Sequence, residues 1–240
     1  MGRIWHISDT HFGHAKVSKY RGFYTPEGHA DVLSHDEAVY TSVTDVIEDN
    51  DTVLFYGDIA FNQDWKHGLD VIRQLKQERK NLQFWLLYGN HDIIHPLFKK
   101  RSLEVYSAYA EYFDWMGERF HNTTDYGKSI HFSHFPATNG DDRHSDKYKL
   151  WQIPEDFLDL SSLDTDWVVH GHTHQNTFYN STRPNHLCVS WDVFRAPVSD
   201  DFLKHSLQNF DTSFLEPLES WGIWQKYRKQ AENLQKSGKE

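Results

Sequence analysis

The sequence predicts an α/β fold, and three observations predict it. Short apolar runs of strand length recur along the chain. The segments between them carry helical spacing, and the runs end in polar, metal-capable residues. RIWHIS leads into Asp9, Thr10 and His11. Ser34-His35-Asp36-Glu37 then reads as a capping box, with Val39, Val43, Val46 and Ile47 forming one apolar face behind it. DTVLFYG leads into Asp58, and Leu69, Ile72 and Leu75 mark a second helix that Gly68 weakens. LQFWLLYG leads into Asn90, His91 and Asp92, before a third helix over 102–113 that spaces Leu103, Tyr106, Tyr109 and Ala110. SIHFS leads into His134, DWVVHG into His172 and His174, and HLCVSW into Asp192. Ser199 can cap a helix around Phe202 to Phe210. The stretch WGIWQKYRKQAENLQ places Trp221, Trp224, Ala231 and Leu234 on one side and reads as a helix closing the core. By itself this alternation implies an open parallel sheet, with the polar clusters gathered into one site at the strands' carboxyl ends.

At 240 residues, with 38% hydrophobic and 25% charged residues, the chain suits one domain, 1–240, with a full core. The single cysteine, Cys188, has no internal disulfide partner and reads as a small buried hydrophobe, which fits a reducing cytoplasm. The opening MGRIWHISD lacks the apolar core of a signal peptide, and no run reaches membrane-spanning length. A cytoplasmic protein without a membrane partner is therefore expected. His6 stands where a myristoylation signal needs Ser or Thr. A net charge of −10 argues against nucleic-acid binding through a broad basic face, although bound cations would reverse the field locally. The sequence carries no signal of oligomeric state. The 17 histidines are the compositional anomaly.

The donor pool is Asp9, His11, Asp58, Asn90, His134, His172 and His174. It offers imidazole nitrogen, carboxylate oxygen and amide oxygen but no thiolate, which fits manganese, iron, zinc or nickel over a structural zinc site. These donors are too many for one catalytic ion that keeps room for water. They fit two ions sharing a carboxylate, the arrangement that clamps both ends of an in-line phosphoryl displacement.

In kind and order these residues resemble the calcineurin-like metallophosphoesterases. The family's D-x-H, G-D, G-N-H-D, H and G-H-x-H appear as Asp9-Thr10-His11, Gly57-Asp58, Gly89-Asn90-His91-Asp92, His134 and Gly171-His172-Thr173-His174. ISDTHFGH is especially similar to small bacterial and phage members, and NHLCVSWDVFRAPVS looks like their closing strand. The resemblance implies a four-layer α-β-β-α sandwich of two mixed sheets flanked by helices. Motifs would then occupy 9–174, and the closing strand and C-terminal helices 187–240. It implies that Asp9, His11 and His174 bind one divalent ion and Asn90, His134 and His172 a second, with Asp58 bridging and manganese favoured. His91 would face the leaving group during in-line attack by a metal-held hydroxide, and Asp92 would complete the catalytic set by orienting His91 or its loop.

The remaining polar residues divide by context. His170 lies inside a strand and reads as a packing or supporting residue, while His35, His67, His121 and His205 read as solvated. His14, Arg143 and His144 are candidate substrate contacts. They belong to two rim segments, 14–31 with Lys16, Lys19, Tyr20 and Arg21, and 136–149 with Lys147. The expected reaction is hydrolysis of a small or nucleotide-like phosphodiester. The resembling protein phosphatases carry an arginine in G-D-x-V-D-R-G, whereas this chain reads Gly57-Asp58-Ile59-Ala60-Phe61-Asn62-Gln63. The alternatives are a phosphomonoesterase or protein phosphatase, and a DNA nuclease, which the acidic balance weakens. A non-catalytic scaffold is disfavoured because every ligand and His91 are present.

Overall fold

The apolar runs fold into strands that divide between two sheets. β1 (Ile4–Ile7), β2 (Thr52–Phe55), β3 (Gln83–Leu87) and β4 (Trp115–Gly117) are parallel, and β9 (Val198–Ser199) joins antiparallel, in the order β4-β3-β2-β1-β9. The second sheet runs β5 (Arg119–Asn122), β6 (Ile130–Ser133), β7 (Trp167–His170) and β8 (His186–Cys188), with β5 antiparallel to an otherwise parallel set. This computed structural model describes residues 2–122, 127–136, 165–179 and 185–209. The two mixed sheets replace the single open sheet that strand-helix alternation alone implies.

Side-chain alternation along the strands explains the layers. Trp5, Ile7, Val53, Phe55, Phe84 and Leu86 form one core with the helices, and Leu54, Tyr56 and Leu87 form another with the second sheet. The helices on the first side are α1 (Ala15–Tyr20), α2 (Val32–Thr44), α3 (Trp65–Glu78) and α4 (Lys100–Ala110). α2 inserts Val39 and Val43, α3 inserts Leu69, Ile72 and Leu75, and α4 inserts Val105 and Tyr109. In the second core Ile130, Phe132, Val169 and Leu187 meet Phe202, Leu203 and Leu207 of α6 (Asp200–Gln208), which follows the short α5 (Trp191–Phe194). Each fully buried Phe or Ile of this kind contributes about 1.5–3 kcal/mol.

Two local readings shift. α2 begins one turn before the expected capping box, because the Asp31 side chain accepts the Ser34 N–H at 3.0 Å. The segment expected as one closing strand supplies an edge to each sheet instead, β8 to the second and β9 to the first. Ser199 caps α6 by accepting the Phe202 N–H. Cys188 is buried, which pushes its thiol pKa up and keeps it unreactive. Among the described residues no helix is long and apolar enough to cross a membrane. The 221–235 helix and the contacts expected of Arg143, His144 and Lys147 fall outside the described residues.

Candidate metal centre

Register brings the polar strand ends together. Ile7 lies opposite Phe55, and Phe55 opposite Leu86, so β1, β2 and β3 end side by side. Phe132 pairs with Val169, and His170 with Cys188, so the second sheet ends as evenly. The two edges are joined where Ser8 N–H donates to Val189 O at 3.0 Å and Trp191 N–H donates to Ser8 O at 2.9 Å. Loops from both sheets therefore open onto one place.

Seven donors meet there in two groups. Asp9, His11 and His174 form one, with His11 Nε2 3.0 Å from His174 Nε2 and Asp9 Oδ1 3.7 Å from His174 Nε2. Asp58, His134 and His172 form the other, joined by Asn90, whose Oδ1 lies 3.1 Å from His134 Nε2 and 3.0 Å from His172 Nδ1. Asp58 stands between them, its Oδ2 3.7 Å from His11 Nε2 and 3.6 Å from His134 Nε2. Asp9, His11, Asp58, His172 and His174 all have left-handed backbone, with φ from 46° to 65°. Each such residue costs about 1–3 kcal/mol and persists only where the surroundings enforce it.

The loops fit because two glycines leave room. A Cβ on Gly89 would stand 2.2 Å from Asp58 Oδ1, and one on Gly171 would stand 1.9 Å from Ser8 Oγ and 2.7 Å from Asp9 Oδ2. Gly171→Ala should therefore push Asp9 out of place, destabilising the fold by about 1–3 kcal/mol and weakening ion binding at the Asp9 group. Thermal melts and elemental analysis check this. A variant with wild-type melting and ion content would refute it.

The electrostatics suit cations. Burial would raise the Asp58 carboxyl, but His134, His91 and His11 surround it and hold it well below the usual carboxylate range. Burial disfavours charge on His174, yet Asp9 and Asp192 outweigh that and push its pKa up to about 9. The field that favours a proton there favours a metal ion equally. Burial holds His11 well below its ordinary value, and its buried Nδ1 has no hydrogen-bond partner. His134 Nδ1–H donates to the Tyr56 carbonyl at 2.5 Å, which leaves Nε2 facing Asn90 and His172. Imidazole nitrogens directed at one another, with carboxylates beside them and no sulfur, fit divalent transition ions.

His91 has another environment. Its N–H donates to Asp58 Oδ1 at 2.9 Å, while its ring, about a third exposed at 32%, packs against Phe61. Its Nε2 lies 4.0 Å from Asp58 Oδ2, at the margin of the donor groups. Asp92 is fully buried and accepts N–H groups of Asp58, Ile59 and Gly89 at 2.8–2.9 Å. Its position is that of a residue holding the loop, not one facing a substrate. His14 stacks on Phe61 with ring centroids 4.9 Å apart, so Phe61 packs against two imidazoles. His170 is buried and donates to the Gly171 carbonyl.

Two sequence readings are corrected here. Arg21 is not a rim cation: its side chain, 1% exposed, turns inward to Asp192. His35 is not solvated; it is fully buried between Arg21 and Asp36. Asp192 closes the sixth apolar run but is not in the expected donor pool, and it accepts His174 Nδ1–H at 2.7 Å. Its signal was available, because it ends an apolar run as Asp9 and Asp58 do.

Converging His and carboxylate groups at the joined edges of a two-sheet α/β sandwich define a metal-binding hydrolase class. A sequence profile of the calcineurin-like phosphoesterases matches residues 2–176, and the chain belongs to that family, whose members are metal-dependent phosphoester hydrolases. It is 26% identical to the Gene 66 protein of Mycobacterium phage D29 over 218 residues, covering 88% of this chain and 98% of the relative. It is 28% identical to the uncharacterized protein MJ1445 of Methanocaldococcus jannaschii, covering 85% and 90%. The solved structure of AQ665 from Aquifex aeolicus, a protein of unknown function, superposes with a TM-score of 0.56 at 22% identity, covering 85% of this chain and 99% of that one, and supports the fold.

Proposed function

We propose that this protein hydrolyses small or nucleotide-like phosphodiesters at a centre of two divalent ions, manganese foremost, with iron, zinc or nickel as alternatives. The position of Asp58 between two separate donor groups carries the reading, with Oδ2 within 3.7 Å of an imidazole from each. Asp9, His11 and His174 would hold one ion, Asn90, His134 and His172 the other, and Asp58 would be shared. When bound, such ions supply Lewis acidity and a potent nucleophile at neutral pH. The chain's own residues do the rest. Asp92 ties the loop that carries Asp58 to the loop that carries Asn90. His91 stands beside the donors and partly exposed, placed to give a proton to the departing oxygen.

Preference for diesters follows from where the arginines are. Asn62 stands at the position at which the resembling phosphatases carry theirs, and Phe61 beside it packs against His14 and His91. Arg21, the arginine bonded into the donor groups, is committed to Asp192. A monoester's second charge would meet fewer fixed cations, and bidentate arginine contacts are among the stronger phosphate anchors. A monoanionic diester loses less, and its poorer leaving group makes fuller use of His91. The test is kcat/KM for matched aryl diester and monoester substrates with the same metal and pH. Faster diester hydrolysis is expected; clearly faster monoester hydrolysis would make the protein a phosphatase.

A further inference from the structure

We infer that Arg21 and Asp192 act as a positioning pair that sets the geometry and ion affinity of the Asp9–His11–His174 group. The inference rests on the two-ion reading proposed above. Arg21 follows α1, and Asp192 lies in α5 after β8, 171 positions further along the chain. Their contact is bidentate, with Nε donating to Asp192 Oδ1 at 2.9 Å and Nη2 donating to Oδ2 at 2.7 Å.

The guanidinium does more than pair with a carboxylate. Nη2 also donates to the Asp9 carbonyl at 2.6 Å, and Nη1 donates to the Thr10 carbonyl at 3.3 Å and to His35 Nε2 at 2.8 Å. A guanidinium has five N–H donors, and these contacts engage all of them. Its Cζ also lies 5.0 Å from the centre of the Trp191 ring. One side chain therefore fixes the backbone of two successive residues in the D-x-H motif and the carboxylate behind His174.

That carboxylate is saturated too. Asp192 Oδ2 accepts His174 Nδ1–H at 2.7 Å and Ser190 Oγ–H at 2.9 Å besides the Arg21 contact. His174 is thereby held with Nε2 turned to the site, and a carboxylate behind an imidazole makes it a stronger ligand. The network continues away from the ions. His35 Nδ1–H donates to Asp36 Oδ1, and the Asp36 carboxylate accepts the Gly13 N–H at 2.9 Å, two residues beyond His11. The 9–13 loop is thus tied at both ends to one buried assembly.

The second group is backed differently. His134 leans on the neutral carbonyl of Tyr56, so removing Arg21 or Asp192 leaves that support intact. The pair's loss should weaken one ion and spare the other. A merely structural role would weaken both together.

The test compares wild type, Asp192→Asn, Arg21→Lys and, as a control in the other group, Asn90→Ala. Each protein is loaded with Mn²⁺ and titrated with a chelator, with bound metal counted by elemental analysis and the coupled pair followed by electron paramagnetic resonance. Asp192→Asn should weaken one ion by about 10–100-fold, convert the coupled signal to that of an isolated ion, and leave the second chelator midpoint unchanged. Unchanged midpoints for both ions, or equal weakening of both, would overturn the inference. If circular dichroism shows that Asp192→Asn does not fold, Arg21→Lys carries the same expectation, since an ammonium cannot reproduce the five contacts. Wild type binding only one ion would overturn the two-ion reading instead. The pair then stands if Asp192→Asn weakens that ion 10–100-fold and falls if it does not.

Discussion

Replacing His91 with alanine should lower kcat by about 10²–10⁴-fold while the ion content stays near wild type. The backbone N–H that His91 gives to Asp58 survives the substitution, so the loop keeps its anchor. What disappears is an imidazole that is about a third exposed, packed on Phe61 and outside both donor groups. A ring so placed can deliver a proton to a departing oxygen without giving up a metal bond. The defect should shrink along a series of aryl esters as the leaving group becomes more acidic, because a good leaving group needs no proton. Measuring kcat across that series, with metal analysis of the same samples, decides the matter. A variant that loses its ions, or whose defect ignores leaving-group acidity, would show that His91 has another role.

Asp58→Asn should abolish activity at metal concentrations that saturate wild type, and should cost both ions. Asp58 is buried and ionised by its environment: burial pushes its carboxyl up, but His134, His91 and His11 outweigh that and pull it well down. Asparagine keeps the volume but loses the negative charge. It also turns one oxygen into an N–H₂ group that cannot bind a cation. Because Oδ2 faces imidazoles of both groups, neither keeps its shared ligand. Ion content should fall from about two per chain to below one. Asn90→Ala, which touches one group, should lose one ion. If Asp58→Asn retained a full complement, the shared position would be wrong and the two groups would be independent.

Much of this centre was legible in the sequence because each donor closes an apolar run. The runs at 3–8, 51–57, 82–89, 129–133, 166–171 and 186–191 all contain or overlap strands, and the seven donors read from their ends come together. Periodicity could not tell which sheet each strand enters, since a buried parallel strand looks alike in either. β4, β5 and β9 were not anticipated: they are two to four residues long, and pairing with distant strands defines them more than any pattern of their own. Arg21 and His35 were misjudged for a related reason. Charge and an isolated position suggest solvent, but a partner 171 positions away turns Arg21 inward and buries His35 beside it. Asp192 ends an apolar run as Asp9 and Asp58 do, but belongs to none of the motifs that carry the family resemblance.

The division of donors between the sheets has a thermodynamic consequence. Asp9 and His11 follow β1 while His174 follows β7; Asp58 and Asn90 follow β2 and β3 while His134 and His172 follow β6 and β7. Either proposed ion would be held by its whole set only when the two sheets are packed together. Each ion would then be a non-covalent rivet, its binding free energy adding to that of folding. At a free concentration 100 times its dissociation constant, a site of this kind stabilises the native state by about 2.7 kcal/mol. That is comparable to the backbone strain of one or two left-handed ligands. With two ions bound as proposed, metal supply would govern how long the folded chain survives as well as how fast it turns over.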